Sequence, residues 1–437
     1  MSALARYFHS RGVKVSGYDK TPSELTAELQ EEGISIQFES NPAHIPTDLS
    51  MAVYTPAVPT SNALFAHVKA AGVPVRKRAE VLGMIAAGMP TIAVAGTHGK
   101  TTITIMLTHI LIGAGMPVEA LLGGISVNYQ TNYISSKDPR WLIAEADEYD
   151  RSFLQLHPEI ATITATDSDH LDIYGSQEQL KASFSEFIKN IPHGGTLLIK
   201  HGLDMPASFK GRLLTYHLNH PEADYRADQI SVSDGRFIMN MAGRLNLSEI
   251  RLGMPGRHNA ENAIAAAALA NLLGVPDHLI IQGLSTCKGV KRRFETCFQN
   301  SDIVYIDDYA HHPEEIKAAI NTARELYPHK KISVIFQPHL FTRTRDLAEG
   351  FAESLSAADE VMLMEIYPAR EEPIKDVDAG MILKKIHTAR ACMLQTEMLE
   401  EELQDRHQEV LLTLGAGSID RLSKDIVRIL TKREISA

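Results

Sequence analysis

Ile92-Ala93-Val94-Ala95-Gly96-Thr97-His98-Gly99-Lys100-Thr101-Thr102 decides the fold: a short apolar run, a glycine-containing turn and the start of a helix. A nucleoside triphosphate needs backbone N–H donors at a helix N-terminus, a cation reaching its outer phosphates and a hydroxyl on Mg2+. Gly99-Lys100-Thr101 offers these in order, with Gly96, Thr97, His98 and Thr102 completing the loop. The usual loop carries a glycine five residues before the second one. Val94 stands there, so Gly96-Thr97 must make the turn. The stretch reads as an ATP or GTP site.

Outward from this loop, apolar strands alternate with helical stretches, which points to parallel α/β sheets. Three blocks follow. Residues 1–90 open on a helix, Ala3 to Ser10, then the strands Val13–Val15, Met51–Tyr54 and Val73–Val75. Asp19, just after the first of these, is placed where an acidic residue commonly faces a nucleotide ribose. Residues 91–293 hold the loop, strands at Trp141–Ala144 and Ile160–Thr164, and an Ala-rich helix at Ala260–Leu273. Within this block, Leu214 to Leu252 alternates strongly and reads as an antiparallel insertion. Residues 294–437 alternate again, with strands at Ile303–Ile306, Ile332–Phe336, Val361–Met364 and Val410–Leu414, and end on a helix.

Two acidic clusters follow strands of the middle block, Glu145-Ala146-Asp147-Glu148-Tyr149-Asp150 and Asp167-Ser168-Asp169-His170-Leu171-Asp172. Both sit at carboxyl ends of strands, the rim where open α/β sheets place ligands. Mg2+ wants hard oxygens and tolerates an occasional imidazole. Beside the loop, the clusters read as its ligands. Unaided chemistry stops at a nucleotide–Mg2+ site of unknown reaction.

Composition narrows the partners. A net charge of −11 over 437 residues argues against a broad nucleic-acid or anionic-membrane surface. The three cysteines, Cys287, Cys297 and Cys392, form no CxxC pair and suit a reducing cytoplasm. No stretch approaches the roughly 20 apolar residues of a membrane span.

AGTHGKTT (95–102), AEADEYDRSFL (144–154), DSDHLDIY (167–174), GMPGRHNAENA (253–263), GVKRRFE (289–295), DDYAHHPEEI (307–316) and FQPHLFTRTRDL (336–347) occur together in an order that resembles the Mur ligase family. The resemblance runs over nearly the whole chain. It implies an α/β protein of three domains: a truncated Rossmann-like UDP-binding domain, a central P-loop ATPase domain and a Rossmann-like C-terminal domain. The members it matches best join L-alanine to the lactyl carboxylate of UDP-N-acetylmuramate with ATP and Mg2+, through an acyl phosphate, as monomer or homodimer. By the same resemblance, Lys100 is the phosphate-binding lysine, Thr101 the hydroxyl on Mg2+, Glu145 a metal ligand and His170 the second-metal ligand. Asn259 and Asn262 match the pair at the adenine. Arg293 matches an arginine near the γ-phosphate, and Asp308 a nucleotide contact. Tyr309, His311 and Arg343 match residues near the incoming alanine, where a guanidinium suits a carboxylate.

Three departures from the family accompany the match. Relatives carry an apolar strand and a G-x-G-G-x-G loop just before the segment matching Met1–Ala5. Their absence here suggests an internal methionine taken as a start or a truncation, and weak binding of UDP-N-acetylmuramate. Leu340 stands where relatives usually have an arginine. Lys181 is offset from the lysine that sister ligases carbamylate, so it receives no role. Two rival readings are a sister ligase that attaches a recycled tripeptide, and a regulator that binds nucleotide without turnover. A GTPase switch is disfavoured, since no N-K-x-D motif is seen.

Overall fold

Every residue of the strand Thr91–Ala95 is buried, which a central position in a parallel sheet requires because helices cover both faces. A computed structural model of the chain describes residues 1–56, 58–59, 61–167, 174, 176–204, 209–369, 371–405 and 408–436. The fold is mixed α/β with mainly parallel sheets, as anticipated. Thr91–Ala95 pairs in parallel with Trp141–Ala146 on one side and Ile160–Ile163 on the other. They belong to a ten-stranded sheet in the order Leu247–Arg251, Arg236–Gly243, Tyr225–Ser233, Arg212–His217, Thr196–Lys200, Ile160–Ile163, Thr91–Ala95, Trp141–Ala146, Val118–Leu121, Tyr133–Ser135.

The chain divides into two compact units. One comprises Met1–Ala227, Met241–Leu247 and Glu261–Leu284; the other Asp228–Asn240, Ser248–Ala260 and Ser285–Ala437. In the first unit, the opening residues contribute two separate parallel strand pairs, Ser16–Tyr18 with Ser35–Gln37 and Ala52–Tyr54 with Val75–Lys77. Polar contacts, each with a buried partner, hold this region and link it to the sheet edge. Arg11 bonds Glu119 at 2.8 Å, and Glu119 is wholly buried and also takes the Tyr133 hydroxyl at 2.6 Å. Arg6 reaches Glu32 at 2.6 Å and the Asn132 side-chain oxygen at 2.8 Å.

The second unit holds a six-stranded sheet in the order Glu295–Gln299, Val304–Asp308, Val410–Leu414, Ile332–Phe336, Glu360–Leu363, Arg390–Met393. Only Glu295–Gln299 runs antiparallel in it. The helix Pro313–Leu326 carries the chain from Val304–Asp308 past Val410–Leu414 to Ile332–Phe336, so the strand order reverses there. Open α/β sheets bind ligands at such a reversal, outside the carboxyl ends of the strands.

Several elements sit elsewhere than the periodicity predicts. The first strand is Ser16–Tyr18 rather than Val13–Val15: Gly12 turns the chain with φ 77° and Val13 stays 49% exposed, so pairing begins later. The strand expected at Val73–Val75 is Val75–Lys77. Trp141–Ala146 extends through Glu145, which therefore lies in the strand and not after it. Arg212–His217 pairs in parallel with both Thr196–Lys200 and Tyr225–Ser233, so the expected antiparallel insertion is confined to the strands beyond that second pairing. Its alternation reports one exposed face, which strands of either direction can have. Asp234 and Gly235, at φ 52° and 68°, then close a tight hairpin between Tyr225–Ser233 and Arg236–Gly243. The edge strands Glu295–Gln299 and Arg390–Met393 carry too little apolar pattern to be anticipated.

Candidate active site

The phosphate loop owes its shape to two left-handed glycines, Gly96 at φ 122° and Gly99 at φ 79°. A Cβ on Gly96 would strike Thr164, and one on Gly99 would strike the Asn262 side-chain oxygen. The chain after Ile160–Ile163 closes the far side: Thr97 N–H donates to Ala165 O at 3.1 Å, and Thr164 hydroxyl donates to His98 O. His98 also pairs with Asp167 at 3.7 Å. Gly99 caps the helix Lys100–Gly113, directing its first N–H groups toward the loop. The Thr97 hydroxyl is buried with no hydrogen-bond partner among the described residues.

Lys100 folds back over this loop. Its ammonium donates to Gly96 O at 2.8 Å and to the wholly buried Glu148 at 2.8 Å. Burial pushes the Glu148 carboxyl above its ordinary pKa, an effect Lys100 opposes. One helical residue on, the Thr101 hydroxyl donates to Glu145 at 3.0 Å, and the other Glu145 oxygen accepts the Gly123 N–H at 2.6 Å. Desolvation raises the Glu145 pKa as well, against the pull of these donors and of Lys100. Two hard oxygens thus lie side by side at the start of the helix, a donor set that fits Mg2+. Past Glu148, Asp150 and Arg151 are both left-handed at φ 52° and 55°, and Lys77 holds Asp150 at 2.8 Å. Arg78 approaches Asp147 at 3.6 Å. Tyr174 donates to the Glu148 carbonyl at 2.6 Å, and burial lifts its phenol pKa to about 12.

In the second unit, a separate cluster gathers at the sheet's strand reversal. The buried Asp308 carboxylate accepts the N–H groups of Phe294 and Ala310, both at 2.7 Å. Desolvation nonetheless raises its pKa to about 6, with Arg293 pulling the other way. Arg292 and Phe294, at φ 63° and 51°, bracket Arg293 in backbone that side chains disfavour. The bracket is held from several sides. Arg292 Nε bonds Asp307 at 3.0 Å, its Nη2 bonds Gly415 O at 2.5 Å, and Tyr309 N–H donates to Arg292 O at 2.7 Å. The Tyr309 ring lies under both guanidinium groups, at 5.2 Å and 5.3 Å.

His311 is the titratable centre of this cluster. Its Nδ1 lies 3.0 Å from Tyr309 O and 3.3 Å from Glu315, both acceptors, so Nδ1 carries the proton and Nε2 the lone pair. Burial lowers its pKa, with Glu315 opposing and the Arg343 and Arg293 charges assisting, which favours the neutral imidazole. The ring is 6.2 Å from that of His339, which stacks on Tyr367. Arg343 sits in the first turn of the helix Phe341–Leu355, whose N-cap Leu340 has φ 70°.

Family models match in series along the chain: a Mur ligase family catalytic domain over 1–89, a Mur ligase middle domain over 94–270 and a Mur ligase glutamate ligase domain over 292–417. The UDP-N-acetylmuramate–L-alanine ligase of Phocaeicola vulgatus is 43% identical, over 99% of this chain and 96% of its own length. This chain belongs to the Mur ligase family. The crystal structure of the Thermotoga maritima UDP-N-acetylmuramate–alanine ligase superposes with a TM-score of 0.86 at 28% identity, covering 100% of this chain and 97% of that one. A murein peptide ligase from Psychrobacter arcticus shares the fold at 21% identity and a TM-score of 0.69, over 98% and 96% of the two chains.

Within this Mur ligase, the anticipated residues fall into groups. Gly96, Thr97, His98, Gly99, Lys100, Thr101, Glu145 and Asn262 come together at the phosphate loop. Arg293, Asp308, Tyr309 and His311 come together at the strand reversal. Asn259 donates to Pro255 O at 2.7 Å. Asp19 is exposed and accepts the Thr21 N–H at 3.1 Å, forming a turn. His170 lies outside the described residues. Lys181 pairs with Asp204 on the surface at 2.9 Å. Residue patterns missed Glu148, Arg292, His339 and Tyr367. An acidic run does not say which carboxylate turns inward, and the neighbours of Arg292 come from strands distant in sequence.

Proposed function

We propose that this chain joins L-alanine to the lactyl carboxylate of UDP-N-acetylmuramate using ATP, making a peptidoglycan precursor in the cytoplasm. One observation carries the reading: near-complete coverage, at 43% identity, by a relative bearing that name. The domain limits 1–90, 91–293 and 294–437 are part of this proposal, supported by family matches over 1–89, 94–270 and 292–417.

The residue roles rest on the family resemblance, supported where the surroundings of a side chain suit the chemistry. A carboxylate acylates poorly, so its oxygen first attacks the γ-phosphorus of ATP, and ADP leaves with the electron pair of the broken P–O bond. Lys100 and the loop N–H groups neutralise charge as it builds on the transferring phosphoryl, which is the main contribution a protein makes to this reaction. Mg2+ bound with the nucleotide supplies further neutralisation; Thr101 and Glu145 would hold it, the family resemblance adds His170 as a second-metal ligand, and the Thr97 hydroxyl of the same loop is buried without a partner among the described residues. Asn259 and Asn262 serve the adenine, Asp308 and Arg293 the nucleotide, and Asp19 a ribose.

In the second step the alanine amine attacks the acyl carbon, inorganic phosphate departs, and the amine's proton passes to Nε2 of His311. A neutral imidazole with its lone pair on the unbonded nitrogen suits that task. Arg343 binds the alanine carboxylate, and Tyr309 lines its pocket.

The test measures ADP release with UDP-N-acetylmuramate and either L-alanine or the recycled tripeptide, with mass detection of the amide. L-alanine-dependent ADP and product, both abolished by Lys100→Ala, are expected. Turnover with the tripeptide alone, or nucleotide binding without any turnover, overturns the proposal.

A further inference from the structure

A histidine cluster lies on the first unit, made of residues given no part in the ligase reaction. His201 follows the strand Thr196–Lys200, His217 ends the strand Arg212–His217, and His220 and Glu222 stand on the loop after it. The rings of His201 and His220 stack 3.9 Å apart at 26°. One ligand atom from each of His201, His220 and Glu222 lies within 4.8 Å of the others. We propose that these three residues bind a transition-metal ion of the zinc class.

Nearby contacts divide the roles among the histidines. His217 Nδ1 accepts the N–H groups of Asn219 at 3.1 Å and His220 at 3.0 Å. It therefore shapes the loop that presents His220 and is not itself a ligand. His220 Nδ1 accepts the Glu222 N–H at a long 3.3 Å, so its lone pair already faces the Glu222 side. A metal ion takes over that lone pair at the cost of one weak hydrogen bond. Two imidazoles and a carboxylate form the three-ligand set that zinc accepts, with water as the fourth ligand.

The site also has a rigid base. His201 N–H donates to Tyr216 O at 2.8 Å. Glu261 then bridges the strand and the loop, bonding Lys200 at 2.8 Å and Leu218 N–H at 3.2 Å. Binding one ion draws in ligand atoms that already lie within 4.8 Å of one another. The metal clamps that loop to the end of Thr196–Lys200.

The full chain, stripped with a chelator and freed of it, is titrated with ZnCl2 by calorimetry and with CoCl2 by visible absorption. Wild type is expected to show a zinc site and a tetrahedral cobalt band that His201→Ala and His220→Ala each remove. Glu145→Gln, which alters the phosphate loop instead, keeps both. Glu222→Gln, at an exposed position, lowers zinc affinity by roughly 10-fold or more. Equal zinc stoichiometry and cobalt spectra in wild type and His220→Ala, or unchanged affinity in Glu222→Gln, overturn the proposal.

Discussion

Two acidic side chains show how burial sets chemistry at the scale of one residue. Glu148 is wholly buried against Lys100, whose ammonium it holds at 2.8 Å over the phosphate loop. Removing one member of a buried pair strands the other, a loss of roughly 3 kcal/mol. Glu148→Gln should therefore destabilise the resting protein by about that much. ATP phosphates can replace the lost charge, so the thermal shift on adding Mg-ATP should be larger in Glu148→Gln than in wild type. Equal shifts would separate Glu148 from the lysine's poise. Burial raises the pKa of the Asp308 carboxyl in the same way as that of Glu148. Its pKa of about 6 exceeds the ordinary 3.8, so the folded chain binds this proton more tightly than the unfolded chain. Its contribution to stability is fully present below about pH 4, is lost as pH rises toward 6, and is flat above. The difference is about 3 kcal/mol from linkage. Asp308→Asn should flatten that segment of the profile, read as urea midpoints from pH 4 to 7; an unchanged slope would reject the assignment.

Among the elements, the phosphate loop depends on backbone that only glycine adopts without strain. Gly99 is left-handed and its Cβ position is filled by the Asn262 side chain, so Gly99→Ala meets both penalties at once. The expected cost is about 1–3 kcal/mol in stability, together with loss of ATP binding by calorimetry. Gly113, in the same helix, meets nothing within 4 Å, so Gly113→Ala is the control and should be neutral or slightly stabilising. Much of this element was legible beforehand. Strand Thr91–Ala95 and the helix after Gly99 follow from apolar runs and a glycine turn. Left-handed Asp150, Arg151, Arg292 and Phe294 were not legible, because local propensity disfavours them. They persist because Lys77, Glu295 and Asp308, remote from them or across a turn, hold them in place.

For the molecule as a whole, the opening helix is fastened to the sheet edge by the exposed Arg11 reaching the buried Glu119. Arg11→Ala would leave the Glu119 carboxylate in the interior with Tyr133 as its remaining neutral donor. A destabilisation of about 3 kcal/mol is expected by urea unfolding, against about 1 kcal/mol for Tyr133→Phe, which removes a neutral donor only. Comparable losses in the two variants would show that the ion pair contributes little. Neither partner was marked in the sequence, since a charged pair separated by more than a hundred residues has no local signature.

The α/β class, the phosphate loop and the family order of motifs were determined by the sequence alone. Periodicity, glycine placement and residue spacing are local properties, and they act over a few residues. Tertiary structure alone decided that Glu148 and not its acidic neighbours meets Lys100, that Arg212–His217 runs parallel to Thr196–Lys200, and that His201 meets His220. Each of those depends on how distant strand ends line up on a sheet, and that register is set by packing across the whole core rather than by any one segment.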